Sequence, residues 1–364
     1  MSARNYQSLA MQVTPEMRLA YMATLDPKQK EQIGPVGARR MKVGGTITLI
    51  AGVLAMILAV AGSGSDGSSA GGVTFFVFSL MIGIILIAVA HGAMKDLDLR
   101  VRMSRFAADN NMTFAPFQVN PVYSGMIFGL GHTRKSTNML RSMTPIPFEM
   151  GEYTYTVGSG KNQHTYYFGY VGIALQRRLP HMVLDATANN AKLFGSRMSN
   201  LPVTFGKDQT LSLEGDFNNY FTLYAPKDYE RDALYIFSPD VMALMIDNVH
   251  TSVDQKDKSV KALTLDAEIV DNRLFIYHTA KTKMDDPIVL ERFFKIIDTI
   301  GAKVSDQSEM YSDERIGDRS QDAISKEGIR LKQKTPIIAI VFVVGLLLLT
   351  NLSSVIASLS ELFK

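Results

Sequence analysis

The 364-residue chain has no cysteine, no tryptophan and only six histidines. Without thiols it can form no disulfide, no cysteine nucleophile, no iron–sulfur cluster and none of the zinc sites built on thiolates. The histidines include no HExxH and no close pair, so a histidine metal centre would need assembly from distant parts of the chain. The formal net charge is only +3, and no run of five basic residues occurs, so nucleic acid is not an expected partner. Motifs for cofactors are missing too. SGMIFGLGHTRKST, Ser124 to Thr137, places Arg134 where a phosphate-binding loop needs glycine before Lys135 and Ser136. GSGK, Gly158 to Lys161, sits in an apparent hairpin instead of opening a helix, and DQKDKS lacks the spacing of a calcium loop. No metal and no cofactor is therefore expected.

Another absence is informative in the opposite sense. Three apolar stretches, residues 43–62, 72–90 and 335–357, contain no Asp, Glu, Lys or Arg. A hydrocarbon core about 30 Å thick is crossed by roughly 20 apolar helical residues, which makes the first two a transmembrane hairpin (43–94 with its flanks) and the third a C-terminal transmembrane helix. Ala51 and Ala55 would let the first two helices pack closely. Charge lies beside the spans instead of inside them. Arg39, Arg40 and Lys42 precede the first; Lys95, Arg100, Arg102 and Arg105 follow the second; Arg330, Lys332 and Lys334 precede the third. The glycine-rich connector has no basic residue. The positive-inside rule then puts the N-terminus and the main domain in the cytoplasm, and the C-terminal tip, 358–364, outside a multi-pass cell-membrane protein. Spans without ionisable groups argue against a transport pathway.

The rest reads as an α+β protein with a mainly antiparallel sheet and packed helices. Residues 1–42 form a cytoplasmic N-terminal segment with helix starts at Thr14-Pro15 and at Asp26, where Gln29 completes a capping box. Residues 95–111 continue the second span as a connecting helix ended by Asn110 and Asn111. Residues 112–304 form the cytoplasmic domain. EYTYTVG and YYFGYVGIALQ alternate with period two around a hairpin loop; further strands are predicted at LSLEG, FTLYA, ALYIFS, LTLDAEIV and RLFIYHTA, the last two meeting at a tight Asp271-Asn272 turn. Helices are predicted from Pro239 and from Pro287. The second has an apolar face of Ile288, Phe293, Phe294, Ile297 and Ile300, and Gly301 as its stop. Residues 305–334 read as a polar, mixed-charge linker that tethers the domain loosely.

RRLPHMVLDATANN, Arg177 to Asn190, gathers residue types used by hydrolases and metal sites. Read as a strand following a turn at Arg177 to Pro180, it places Met182, Leu184, Ala186 and Ala188 on the core face. His181 and Asp185 share the other, half-exposed face about 13 Å apart at roughly 3.3 Å per residue, too far to bond. Together with Asp228, Glu230 and Arg231 they are the candidates for a polar site, should the fold bring them together.

The block FTLYAPKDYERDALYIFSPDVMALMID, Phe221 to Asp247, resembles the most recognisable segment of a bacterial membrane-protein family catalogued only as a domain of unknown function, and YVGIALQRRLPHMVLDA is similar to that family's upstream strand pair. The resemblance covers about Phe106 to Ile300. Here Asp232-Ala233-Leu234 stands where members tend to carry Ala-Arg and an apolar residue, and the family brings no catalytic residues to carry over. The functional expectation is a membrane-anchored, non-enzymatic module that binds lipid or a membrane or cytoplasmic protein. The alternative is a membrane-associated hydrolase-like enzyme whose carboxylates and histidines converge only in the fold.

Overall fold

A computed structural model of the chain describes residues 4–33, 35–62, 69–188, 190–193, 196–199, 201–213, 215–253 and 265–334. The third apolar stretch and the C-terminal tip lie outside the described residues. Two compact units are present: residues 1–116 with 285–287, and residues 117–284 with 288–364.

The first unit is helical. α1 (Pro15–Thr24) starts where Thr14 accepts a bond from the Met17 amide. α2 (Pro27–Ile33) starts at a reciprocal box, with Asp26 Oδ1 accepting from the Gln29 amide (2.8 Å) and Gln29 Oε1 from the Asp26 amide (3.2 Å). α3 (Pro35–Gly62) and α4 (Ser69–Asp109) pack along each other. Each contains a window long and apolar enough to cross a membrane, with mean hydropathy 2.3 and 2.8. Only 11% and 17% of those windows are buried, whereas a core helix of a soluble protein hides most of its apolar surface. The helices meet through Gly45, Gly52, Ser79 and Gly83. A Cβ on Gly45 would lie 2.9 Å from the Gly83 carbonyl oxygen, and one on Gly52 would lie 2.6 Å from Ser79 Cβ. The predicted alanine pair is not the contact: Ala51 is exposed, because the crossing needs residues smaller still. The connecting segment continues the second apolar helix: α4 runs to Asp109, and Asn111 takes φ +56°.

The second unit is built on a seven-stranded sheet in the order β1-β2-β3-β4-β9-β8, with β10 on the other edge of β4. Its strands are β1 (Thr113–Val119, which begins in the first unit), β2 (His132–Ser142), β3 (Phe148–Val157), β4 (His164–Ala186), β8 (Thr210–Leu211), β9 (Phe221–Tyr224) and β10 (Leu265–His278), while β5 (Ala191–Leu193) and β6 (Ser196–Met198) form a separate pair. The pairs of β2 with β3, β3 with β4, β4 with β9, β4 with β10 and β8 with β9 are all antiparallel. Two expected turns are absent. β4 continues through Arg177 to Pro180 and β10 through Asp271-Asn272, and the two irregularities lie opposite each other, Asp271 facing Leu179. Asp271 takes φ +54°, so a bulge bends both long strands together while their ladder continues on either side. The local signal of a bulge and that of a turn are the same.

One face of the sheet is covered by helices. α7 (Pro239–Val253) and α8 (Pro287–Ile296) start at their prolines as predicted. A π turn (Ile297–Gly301) joins α8 to α9 (Ala302–Glu309). Phe293, Phe294, Ile297 and Ile300 are buried, while Ile288 is not. Gly301 does not stop the helix: it is helical (φ −59°), and a Cβ there would stand 2.5 Å from Ile173 Cδ1. It is small because the sheet is close. After the single turn of α5 (Phe217–Tyr220), ALYIFS forms α6 (Glu230–Ile236) instead of a strand; Ala233 and Ile236, three apart, are its buried residues, the spacing of a helix face.

The opposite face carries an aromatic layer of Phe128, Tyr153, Tyr155, Phe168, Tyr170, Phe275 and Tyr277, with ring pairs such as Phe128–Tyr153 at 4.7 Å and Phe128–Tyr170 at 5.3 Å, both edge-to-face. Residues 305–334 are held against the sheet unit instead of forming a loose tether, 305–309 as part of α9. Arg177 donates to the Tyr311 and Gln321 carbonyls (both 2.9 Å), the His181 amide to the Gly328 carbonyl (2.9 Å), and Arg330 binds Asp271 through both carboxylate oxygens (3.0 and 2.8 Å). β11 (Gln333–Lys334) then pairs with β7 (Thr204–Phe205). The segment is polar in composition, but its polarity satisfies strand-edge groups.

Candidate functional site

The stretch His181 to Ala186 is buried on both faces, which corrects the half-exposed strand expected above: the side read as solvent-facing lies under the strap of residues 328–331 and Phe205. His181 therefore needs partners, and it has them. The Leu331 amide donates to its Nδ1 at 2.9 Å, which leaves the ring proton on Nε2, 2.9 Å from Glu268 Oε1. The other oxygen, Glu268 Oε2, accepts from the Tyr277 hydroxyl (2.6 Å) and from the Met126 amide (2.7 Å). His181 and Glu268 are 4% and 1% exposed. Both ring nitrogens and both carboxylate oxygens are occupied, so this pair offers no open position to a substrate. It joins strand, strap and loop. The Tyr277 hydroxyl is pushed well above its ordinary pKa, by burial first and then by the Glu268 charge.

Asp185 stands apart. It shares no bond with His181; its Oδ2 accepts from Asn190 at 3.3 Å, and its Oδ1 has no partner among the described residues. Burial raises its pKa, against the lowering effect of Ser199 and Asn190. Asp228, Glu230 and Arg231 lie elsewhere, exposed at the start of α6. Asp228 takes φ +70° and its carbonyl accepts from Arg315, while Arg231 makes a long, exposed ion pair with Glu314 at 3.8 Å. Thus no two of the five candidates approach each other within bonding distance among the described residues.

Sequence reasoning missed the polar residues that do converge. Glu268 lies in LTLDAEIV, which the sequence marks only as a strand. Glu149 is a second buried carboxylate, held by Arg141 and by the hydroxyls of Tyr123 and Tyr170 (2.5 Å from Tyr170); burial, then the Glu149 bond, pushes Tyr123 up to about 12. A third node joins Asp313 to the Tyr229 hydroxyl (2.6 Å) and Arg315 (3.1 Å), with the guanidinium 3.7 Å over the Tyr229 ring. Acids within strongly apolar strands, such as Glu268 in DAEIV, are the available signal. Among the described residues no three metal-ligating side chains converge.

An open site exists in the helical unit instead. A cleft of about 540 Å³ is lined by Pro15, Arg18, Leu19 and Met22 of α1, Lys42 of α3, and Ile87, Ala90, His91, Met94, Lys95 and Asp98 of α4. Arg18 binds Asp98 as a fork, 2.5 and 2.9 Å, and fixes α1 to α4. Four of the ten basic residues that flank the apolar stretches are held by acids: Arg100 by Asp96 (2.7 Å), Arg102 by Asp285 (2.9 Å), Arg105 by Asp109 (3.3 Å) and Arg330 by Asp271. Arg40 is exposed, Lys332 bonds Gln209 through its amide, and Lys334 lies in β11. The side chain of Arg39 is outside the described residues.

No family model and no curated protein matches the sequence. Among solved structures, the crystal structure of the mycobacterial trehalose monomycolate transport factor A, TtfA, is similar over 54% of this chain and 93% of that chain, with 7% identity and a TM-score of 0.32. A likeness at that level carries no argument.

Proposed function

We propose that the chain is a membrane-anchored, non-enzymatic module that binds lipid at the end of its helical hairpin. The observation that carries this reading is the open cleft, walled by apolar side chains, where the apolar stretches of α3 and α4 give way to charge. The second unit supports the non-enzymatic half of the reading, because its convergent acids and its buried histidine are saturated by internal bonds. Native mass spectrometry of the full chain extracted in mild detergent tests the proposal. Phospholipid should survive on the protein after the annular shell is stripped; a folded protein that keeps none would refute it.

In this reading α3 and α4 span the bilayer, residues 335–357 form a third span, and the N-terminus and the sheet domain are cytoplasmic. The absence of native cysteine makes the test clean. A membrane-impermeant thiol reagent applied to intact cells stripped of outer barriers should label Ser65→Cys and Lys364→Cys but not Ser159→Cys. Labelling of Ser159→Cys would reverse the orientation, and protection of Lys364→Cys alone would remove the third span.

A further inference from the structure

We infer that the cleft is a headgroup site for an anionic phospholipid, with Lys42 and Lys95 as its phosphate-binding residues; this rests on the lipid-binding reading above. Depth in the bilayer is the first support. Gly45 of α3 is level with Gly83 and Ile87 of α4, since a Cβ on it would lie 2.9 Å from the Gly83 carbonyl oxygen and 3.0 Å from Ile87 Cγ1. Lys42, three residues before Gly45, is therefore about level with Ala90, three residues after Ile87, and Lys95 lies about 7 Å further along α4, beyond the apolar stretch. The two lysines belong to different helices, yet they line one cleft at the edge of the apolar stretches.

Charge is the second support. The cleft is lined by Arg18, Lys42, Lys95, His91 and a single acid, Asp98. That acid is taken by Arg18, and among the described residues neither lysine forms an ion pair. Two positive charges remain over walls made of Leu19, Met22, Ile87, Ala90 and Met94. An acidic peptide would match the charge but not the apolar floor, and an uncharged lipid would match the floor but not the charge. A phospholipid with a net negative headgroup matches both. The volume of about 540 Å³ falls within the range of roughly 300–1,000 Å³ found for small-molecule sites, which suits a headgroup and its glycerol backbone with the acyl chains left in the bilayer beside α4. Lysine tips at this depth reach a phosphate at the interface while their stems cover apolar surface.

The test uses the full chain reconstituted into vesicles of phosphatidylcholine mixed with phosphatidylglycerol, followed by native mass spectrometry of the lipids it retains. Wild type should prefer phosphatidylglycerol. Each lysine is expected to contribute about fivefold, the equivalent of the ~1 kcal/mol that a basic residue supplies near an anionic surface. Lys42→Gln with Lys95→Gln should abolish the preference, Lys42→Arg with Lys95→Arg should keep it, and Arg40→Gln, which lies outside the cleft, should leave it unchanged. Retention of both lipids with no preference in wild type, or a preference that survives the glutamine pair, would overturn the headgroup site and leave general lipid binding standing. A wild type that retains neither lipid would overturn both readings.

Discussion

Replacing His181 by phenylalanine keeps a ring of similar volume and removes both nitrogens, so its cost can be worked from two bonds. The Nε2 bond to Glu268 at 2.9 Å is a hydrogen bond to a charged group, worth about 1.5–3 kcal/mol, and the Leu331 amide, which now donates to Nδ1, would be left buried without an acceptor at a cost of about 1–3 kcal/mol. The sum is about 2.5–6 kcal/mol, a large share of the ~5–15 kcal/mol that holds a typical domain. Glu268→Met removes the same first bond and strands the Tyr277 hydroxyl and the Met126 amide. Because both substitutions delete one shared bond, the double variant should cost about 1.5–3 kcal/mol less than the two single costs added together. His181 with Asp185 provides the contrast: the two share no bond, and about 13 Å of strand separates them, so His181→Phe with Asp185→Asn should be additive within about 0.5 kcal/mol. Urea unfolding of the full chain in detergent, followed by tyrosine near-ultraviolet circular dichroism, reads all of these variants; 14 tyrosines and no tryptophan place the signal in the aromatic layer beside the network. Additivity of His181 with Glu268, or coupling above about 1 kcal/mol between His181 and Asp185, would refute the assigned network.

Two carboxylates should show opposite pH dependence. Asp185 has its pKa raised by burial, so its favourable contribution is complete below the ordinary carboxylate pKa and is lost as pH rises through the raised value; Asp185→Asn should therefore be more stable than wild type at pH near 7 and lose that advantage below about pH 4. At Asp313 burial acts upward, but the bonds from the Ser325 amide, Tyr229 and Arg315 prevail and hold the pKa below its usual value. Its contribution is present above the unfolded pKa and lost as pH falls through the folded one, so Asp313→Asn should be destabilising at neutral pH and progressively less so in acid, measured by the same unfolding curves. Gly131 adopts φ +58° with the Thr156 carbonyl oxygen 2.3 Å from where a Cβ would be; Gly131→Ala should lower stability by at least about 1–3 kcal/mol, and a neutral result would show that the β2 entry is misplaced.

What the sequence by itself determined is local or set by the length of an apolar run. The two helices long and apolar enough to cross a membrane follow from about 20 uncharged apolar residues apiece. The starts at Thr14, Asp26, Pro239 and Pro287 follow from which side chain can cap or tolerate a first turn, and the Gly158 hairpin from period-two strands on either side of a glycine-rich turn. The tertiary structure alone decided the burial of His181, the partners of Glu268 and the fate of residues 305–334. Alternation tells which residues share a face of a strand, but it cannot tell whether water or another segment covers that face. Here the face read as half-exposed is sealed by a polar strap from far along the chain, so His181 on it became a buried anchor. Likewise the opposed irregularities at Leu179 and Asp271 each look like a turn in isolation, and only their pairing across the ladder makes them a shared bend. The cleft is of the same kind: Lys42 and Lys95 each read as flanking charges, and it took the antiparallel packing of α3 on α4, through Gly45 and Gly83, to bring them around one opening.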